Sequence, residues 1–189
     1  MVDTKCLWRM RLKHISSIFS LVLLLESCIS VNTSGYRQLS EEARNRVLKC
    51  DMPIDSLRHD GFAYQVKVGQ IADFISNHTN VIVYEYIPYC SSKYKLSLKD
   101  FEAKCLQLGY KPCAIYTEYY QLFNSESVDC PVLVIDQQVF GTDNVLKYSK
   151  AFFDQLTNTK MKDRGYGCFY VFVNGNFKKA YIDFNDIAP

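Results

Sequence analysis

The feature that most constrains the fold is a run of seven residues, 81–87, that is almost wholly apolar and rich in β-branched and aromatic side chains. A run of this composition and length is typical of a strand that is buried on both faces of a sheet. Pro88 ends the run, because proline cannot donate to a strand ladder. Cys90 follows two residues later. The chain must therefore build layers on both sides of a strand that leads to a cysteine.

Strand and helix patterns alternate around this run. Alternating or continuous apolar residues predict strands at 62–68, 113–119, 131–136, 168–173 and 177–184. Apolar residues at helical spacing predict helices at 40–50, 91–108 and 144–156, with a shorter turn at 71–75. Asn174-Gly175 predicts a tight hairpin, because both positions tolerate positive φ. The order indicates an α/β fold, a mixed sheet flanked by helices with an extra N-terminal helix and strand.

The N-terminus has the pattern of an export signal. Lysine and arginine residues in 5–13 precede an apolar run at 15–25, which is shorter than the roughly 20 residues that span a bilayer. The sequence Leu25-Glu26-Ser27-Cys28 resembles the lipobox of bacterial lipoproteins, and Glu26 departs from its usual small or apolar residue. The resemblance implies cleavage before Cys28, a lipid on that cysteine, and attachment to a membrane of the bacterial envelope, on the periplasmic or outer-membrane side. Met10 is an alternative start.

These patterns divide the chain into four parts. Residues 1–27 are the predicted lipoprotein signal peptide, and 28–38 the predicted lipidated tether. Residues 39–80 are expected to form an N-terminal extension that packs on the main domain, which spans 81–189. No second long apolar run follows the first, so the mature chain is not expected to cross a membrane repeatedly.

Composition excludes several classes of function. The formal net charge is +2 with no basic stripe, which argues against nucleic-acid binding. After Cys28 the chain has six cysteines but no Cys-x-x-Cys, and only His59 and His78 add imidazole groups. Zinc motifs normally supply paired, closely spaced ligands, so we expect no metal and no cofactor. Export permits disulfides, but sequence alone cannot choose among the pairings.

Three stretches together resemble the thioredoxin-like fold, in particular the membrane-anchored thioredoxin-like and peroxiredoxin-like proteins of the bacterial envelope. Residues 81–90, VIVYEYIPYC, are similar to the strand and loop that carry the reactive cysteine. Residues 130–136, CPVLVID, are similar to an inserted strand before the second major helix, and 169–176, FYVFVNGN, to the terminal hairpin. The resemblance covers about 81–184.

The resemblance also implies a set of candidate site residues. The family's motif is Cys-x-x-Cys at the start of a helix, whose N-terminus lowers the pKa of the first thiol. Here the motif is degenerate: Cys90 keeps the attacking position, but Lys93 replaces the second cysteine. Lys93 is then a candidate stabiliser of the thiolate, and Cys168 a candidate resolving thiol. The family's cis-proline corresponds to about Gly167, with no proline nearby.

Two functional hypotheses follow. In the first, an envelope protein of thioredoxin descent has lost dithiol activity and serves in binding or assembly, with an envelope protein as a possible partner. In the second, a thiol oxidoreductase or peroxide-reducing enzyme acts through Cys90, alone or with Cys168. Free cysteines are often simply buried, and burial is the expectation for Cys105 on the apolar face of its helix.

Overall fold

The computed structural model describes residues 33–123 and 130–188. The predicted signal peptide and Cys28 lie outside these residues. The described strands are β1 Val47–Lys49, β2 Ala63–Val66, β3 Asn80–Tyr86, β4 Lys111–Tyr116, β5 Val132–Ile135, β6 Phe169–Val173 and β7 Asn176–Tyr181. The described α-helices are α1 Glu41–Asn45, α2 Val68–Ser76, α3 Leu98–Gln107, α4 Val145–Leu156 and α5 Met161–Arg164.

The described strands form one mixed sheet in the order β1-β2-β5-β4-β3-β6-β7. Strands β1 to β5 are parallel to their neighbours within this group. Strand β6 is antiparallel to β3, and β7 is antiparallel to β6. The ends of β1–β5 and β7 therefore lie at the same edge as the start of β6. We call this edge the carboxyl end of the sheet.

Helices cover both faces of the sheet because β3 alternates its apolar side chains between two cores. Val81 and Val83 belong to the core that α2 and α4 cover, and Ile82 and Tyr84 to the core that α3 covers. The buried residues of these helices are Ile71, Phe74 and Ile75 in α2, Leu98, Phe101 and Cys105 in α3, and Val145, Tyr148, Phe152 and Phe153 in α4. The run at 81–87 is thus the central, doubly covered strand that its composition predicts.

The segment that follows Asn32 packs against the carboxyl end of the sheet. Thr33 forms an isolated bridge with Asn144. Ser34 is fully buried, and its backbone N–H donates to the carbonyl of Asp143 at 3.0 Å. The Ser34 hydroxyl donates to the Asp143 carboxylate, and its carbonyl accepts from the Tyr119 N–H at 2.7 Å. Part of the predicted tether, residues 33–38, therefore contacts the domain.

The α/β class and the mixed, helix-flanked sheet are confirmed. The predicted helix 40–50 is wrong beyond Asn45, because Val47–Lys49 pair with β2 as an edge strand. Ser40 does cap this helix, accepting from the Ala43 N–H at 3.1 Å. The N-terminal extension thus contributes two strands to the sheet rather than one. A short helix is only marginally stable by itself. Pairing of Val47–Lys49 with β2 therefore overrides the helical propensity of this segment.

The terminal hairpin forms where the sequence predicts it. Asn174 and Gly175 both adopt positive φ, 51° and 76°. The turn pairs β6 with β7, and β7 forms one edge of the sheet. On β7, Lys178 and Lys179 are exposed, and charged side chains of this kind discourage edge-to-edge pairing with another chain.

Candidate functional site

Chemically active side chains gather at the carboxyl end of the sheet. Strands β3 and β4 end side by side, with Tyr86 opposite Tyr116. The loop 87–97 that follows β3 contains Cys90 and Lys93, and the segment after β4 contains Glu118. In open α/β sheets, ligands bind outside the carboxyl ends of the strands. The fold therefore places the predicted site where this class of sheet normally carries one.

Cys90 lies in a turn and not at the start of a helix. Its N–H donates to the carbonyl of Ile87 at 3.1 Å, and the residue is partly exposed. The prediction of a helix from residue 91 is wrong, because α3 begins at Leu98. Ser97 is the capping residue: its hydroxyl accepts from the Asp100 N–H at 3.0 Å and donates to the Asp100 carboxylate at 2.7 Å. Ser97, and not Cys90, thus caps the N-terminus of α3.

Lys93 is exposed, and its ammonium group lies 4.8 Å from the centre of the Tyr94 ring. A second lysine of the same loop, Lys95, donates to the carbonyl of Pro88. The Tyr84 hydroxyl, on β3, also contacts the loop: it lies 3.3 Å from both the carbonyl O and the N atom of Leu96. These contacts hold the loop to the domain and give Lys93 an aromatic partner.

Cys168 lies immediately before β6 and next to the β3 backbone. Its carbonyl accepts from the Glu85 N–H at 2.8 Å, and its own N–H donates to the carbonyl of Tyr181 at 3.0 Å. Burial raises the pKa of the Cys168 thiol to about 12, and the nearby charges of Glu85 and Cys90 add to the shift. The two thiols are thus close enough to interact electrostatically, and both are free. Cys168 is protonated at neutral pH, which makes it a poor nucleophile.

Gly167 occupies the position that the resemblance assigned to a cis-proline. A Cβ atom there would lie 2.7 Å from both the backbone N and O atoms of Tyr181. Only glycine allows the loop to approach β7 this closely. The loop before β6 is therefore shaped by close backbone packing.

A buried polar network lies behind these thiols, and the sequence analysis missed it. Tyr170 donates to the Glu85 carboxylate at 2.8 Å. Burial raises the pKa of Glu85, while hydrogen bonds from Tyr170 and Ser149 and the charge of Arg164 oppose the shift. Arg164 forms an ion pair with Asp154, which also accepts from Lys150 at 2.6 Å. Glu85 was recognisable as the single charged residue in the apolar run, whereas nothing in the local pattern marked Arg164.

A second acidic group lies at the end of β4. Tyr89 donates to the Glu118 carboxylate. Burial raises the pKa of Glu118, and the hydrogen bond from Tyr89 partly offsets this. Burial also raises the pKa of Tyr89. The ends of β3 and β4 thus each contribute a carboxyl group whose pKa is raised by burial.

Exposed apolar side chains surround this site. Among the described residues, ten large apolar or aromatic side chains are exposed. Seven of them follow or precede strands at the carboxyl end or lie in the first turn of α4: Met52 after β1 and six others. We call these six the apolar rim: Tyr89, Tyr120, Val139, Leu146, Tyr166 and Ile182. The remaining three are Leu48 in β1, and Phe62 and Leu106 at the opposite end of the sheet. Tyr89 and Tyr120 contact each other, and exposed apolar side chains that share one end of a fold can contribute to an interaction surface.

Cys105, Cys113 and Cys130 lie away from the rim. Cys113 and Cys130 line a cavity of about 260 Å³ at the opposite end of the sheet, near the start of β4. Burial raises the pKa of Cys113 to about 12. Cys105 is fully buried, as expected, and each of the six cysteines among the described residues is a free thiol. Burial keeps Cys105 and Cys113 protonated, which is typical of structural cysteines.

Neither a metal centre nor a membrane-spanning helix is found in the part of the chain that the structure describes. No group of three or more His, Cys, Asp or Glu side chains in these residues is placed to hold a metal ion. No helix there has both the length and the apolar character needed to cross a bilayer. No family model matches the chain, and no curated protein or solved structure is significantly similar to it.

Proposed function

We propose that this chain is a lipid-anchored protein of the bacterial envelope with a thioredoxin-like domain, and that it serves in binding or assembly without dithiol exchange. The fold assignment is supported by strand order. The unit β3-α3-β4 is parallel, and the hairpin β6-β7 adds to the other side of β3 in antiparallel orientation. Strand β5 corresponds to the inserted strand, and β1 and β2 extend the sheet beyond it.

The observation that carries the functional proposal is the state of the thiols at the carboxyl end. Dithiol exchange needs an attacking thiolate and a second thiol that resolves the mixed disulfide. Lys93 occupies the second position of the motif. Cys168 is the thiol near Cys90, and its pKa of about 12 keeps it protonated. The site therefore lacks the second cysteine of the motif, and Cys168 is not an activated replacement for it.

The apolar rim supports a role in contact. Tyr166 is 74 % exposed, and Tyr89 and Tyr120 pack edge-to-face with their ring centres 6.2 Å apart. Tyrosine combines a large apolar ring with a polar hydroxyl, which suits it to surfaces that are wet before binding and covered afterwards.

One observation favours the second hypothesis, a single-thiol oxidoreductase or peroxide-reducing enzyme. Cys90 is partly exposed and lies near Cys168, which is itself close to Glu85. Burial raises the pKa of Glu85, which is the direction that suits a carboxyl group to general acid–base catalysis. The Cys90 thiolate would attack a peroxide and break its O–O bond, which gives a sulfenic acid and releases water or an alcohol. Cys168, once deprotonated, would then attack the sulfenic sulfur and form the disulfide with release of hydroxide.

Insulin-reduction and peroxide-consumption assays on the wild type and Cys90→Ser separate the two hypotheses. We expect equal, near-zero rates from both proteins, because neither has an activated dithiol. Cys105→Ser is the matched control, since it removes a buried thiol outside the site. A rate that is present in the wild type and Cys105→Ser but lost in Cys90→Ser would overturn the proposal in favour of the enzyme.

The anchor is tested separately by the intact mass of the full chain after expression in a bacterium that processes lipoproteins. We expect a chain that begins at Cys28 and carries acyl groups. A chain that begins at Met1 or Met10 without added mass would overturn the lipid anchor.

A further inference from the structure

We propose that the apolar rim rests on the lipid headgroup layer of the membrane to which the chain is anchored. The inference rests on the proposed lipid on Cys28, and it identifies the surface that the anchored domain turns toward the bilayer. Three observations support it: where the chain leaves the domain, how short the tether is, and where the exposed apolar side chains lie.

The chain leaves the domain beside the rim. Ser34 is held by Asp143 and by the Tyr119 N–H, so the chain is fixed at the carboxyl end of the sheet. A Cβ atom on Gly35 would lie 3.3 Å from the backbone N of Tyr120. Tyr120 in turn contacts Tyr89. The point of attachment and the rim are therefore neighbouring parts of one surface.

The tether is short compared with the length of the sheet. Residues 29–32 separate Cys28 from Thr33. Five steps of at most ~3.6 Å each limit the distance between these two Cα atoms to about 18 Å. The opposite end of the seven-residue strand β3 lies a further ~20 Å along the sheet. A lipid on Cys28 thus holds the carboxyl end nearer to the bilayer than the other end.

The composition of the rim fits the interface between lipid and water. Its three tyrosines can place their rings among the acyl chains and their hydroxyls among the headgroups. Val139, Leu146 and Ile182 add apolar contact, and Leu146 is 64 % exposed on the first turn of α4. These side chains, next to the anchor, would add a protein contact with the bilayer to the contact made by the lipid itself.

Tryptophan fluorescence can test this directly. The sole tryptophan of the chain is Trp8, which precedes Cys28 and is lost on cleavage. Tyr166→Trp and Leu146→Trp place single reporters on the rim, and Leu106→Trp is the matched control because it is 67 % exposed at the opposite end. Each full-length variant is produced in a bacterium, purified in its lipidated form, and reconstituted into phosphatidylethanolamine–phosphatidylglycerol vesicles with acyl-brominated phosphatidylcholine.

We expect about twofold quenching of both rim reporters relative to unbrominated vesicles, because interfacial residues lie ~5–10 Å into the boundary of headgroups and acyl chains. The Leu106→Trp reporter should be unchanged. The inference is overturned if the protein is lipidated but its rim reporters are quenched no more than the control; the anchor would then stand. A rim covered by a second copy or by a protein partner would give this result. An intact mass without lipid overturns both the anchor and the inference.

Discussion

Replacing Arg164 with methionine should destabilise the folded protein by ~3–5 kcal/mol, the usual cost of removing one partner from a buried ion pair. The Arg164 side chain is 1 % exposed, and its partner Asp154 is 9 % exposed. The guanidinium also lies 5.6 Å from the centre of the Tyr170 ring and stabilises the negative charge of Glu85. Methionine preserves most of the buried volume, so the loss reports the uncompensated carboxylates more than a cavity.

The design includes an internal control, because Asp154 has a second cationic partner. Lys150 contacts the other carboxylate oxygen of Asp154, but its side chain is 48 % exposed. An exposed pair is worth only ~0–1 kcal/mol, so Lys150→Met should change stability little.

Urea denaturation measures both free energies of unfolding. In thermal denaturation, at ~2–4 °C per kcal/mol, the Arg164→Met midpoint should fall by about 6–20 °C. If Arg164→Met costs no more than Lys150→Met, then the buried pair contributes no more than the exposed one, and the assumption that burial decides its energy is refuted.

Two further predictions concern backbone packing and pH. Gly167→Ala should lower the free energy of unfolding by ~1–3 kcal/mol, because its Cβ would overlap the backbone of Tyr181. Gly69→Ala is the control: Gly69 lies in a helix with open space around it, so the change should be neutral or stabilising by up to ~1 kcal/mol. Equal effects of the two changes in thermal denaturation would contradict this prediction. Because the folded-state pKa of Glu85 is raised, the native state binds more protons than the unfolded chain, and stability should fall as pH rises from ~4.3 through the folded pKa. Glu85→Gln should remove this part of the decline in a pH series of denaturation curves, and an unchanged slope would show that another group is responsible.

Local patterns predicted the elements whose stability comes from their own apolar stripe. The central strand, the helix at 144–156 and the hairpin at Asn174-Gly175 were all placed within about a residue of their observed bounds. The predicted start at residue 91 is too early, because the apolar stripe of this helix begins only at Leu98. The decisive local feature was the cap formed by Ser97 and Asp100, three residues apart.

Features that depend on distant parts of the chain could not be predicted in this way. Strand β1 exists because β2 offers it a partner, and the pairing joins residues about sixteen positions apart. Arg164 is buried because Asp154, on the preceding helix, and Tyr170, on the next strand, lie on either side of it. The candidate site could be located by Cys90 and by the end of the central strand, but its acidic groups became evident only when both strand ends were in place.

Burial dominates the electrostatics at the carboxyl end of the sheet. It raises the pKa values of Glu85, Glu118, Tyr89 and Cys168, so desolvation disfavours the charged form of each group. Nucleophilic thiol catalysis requires the opposite, an environment that stabilises a thiolate. The burial that raises the pKa of Cys168 therefore also argues against this residue as a nucleophile.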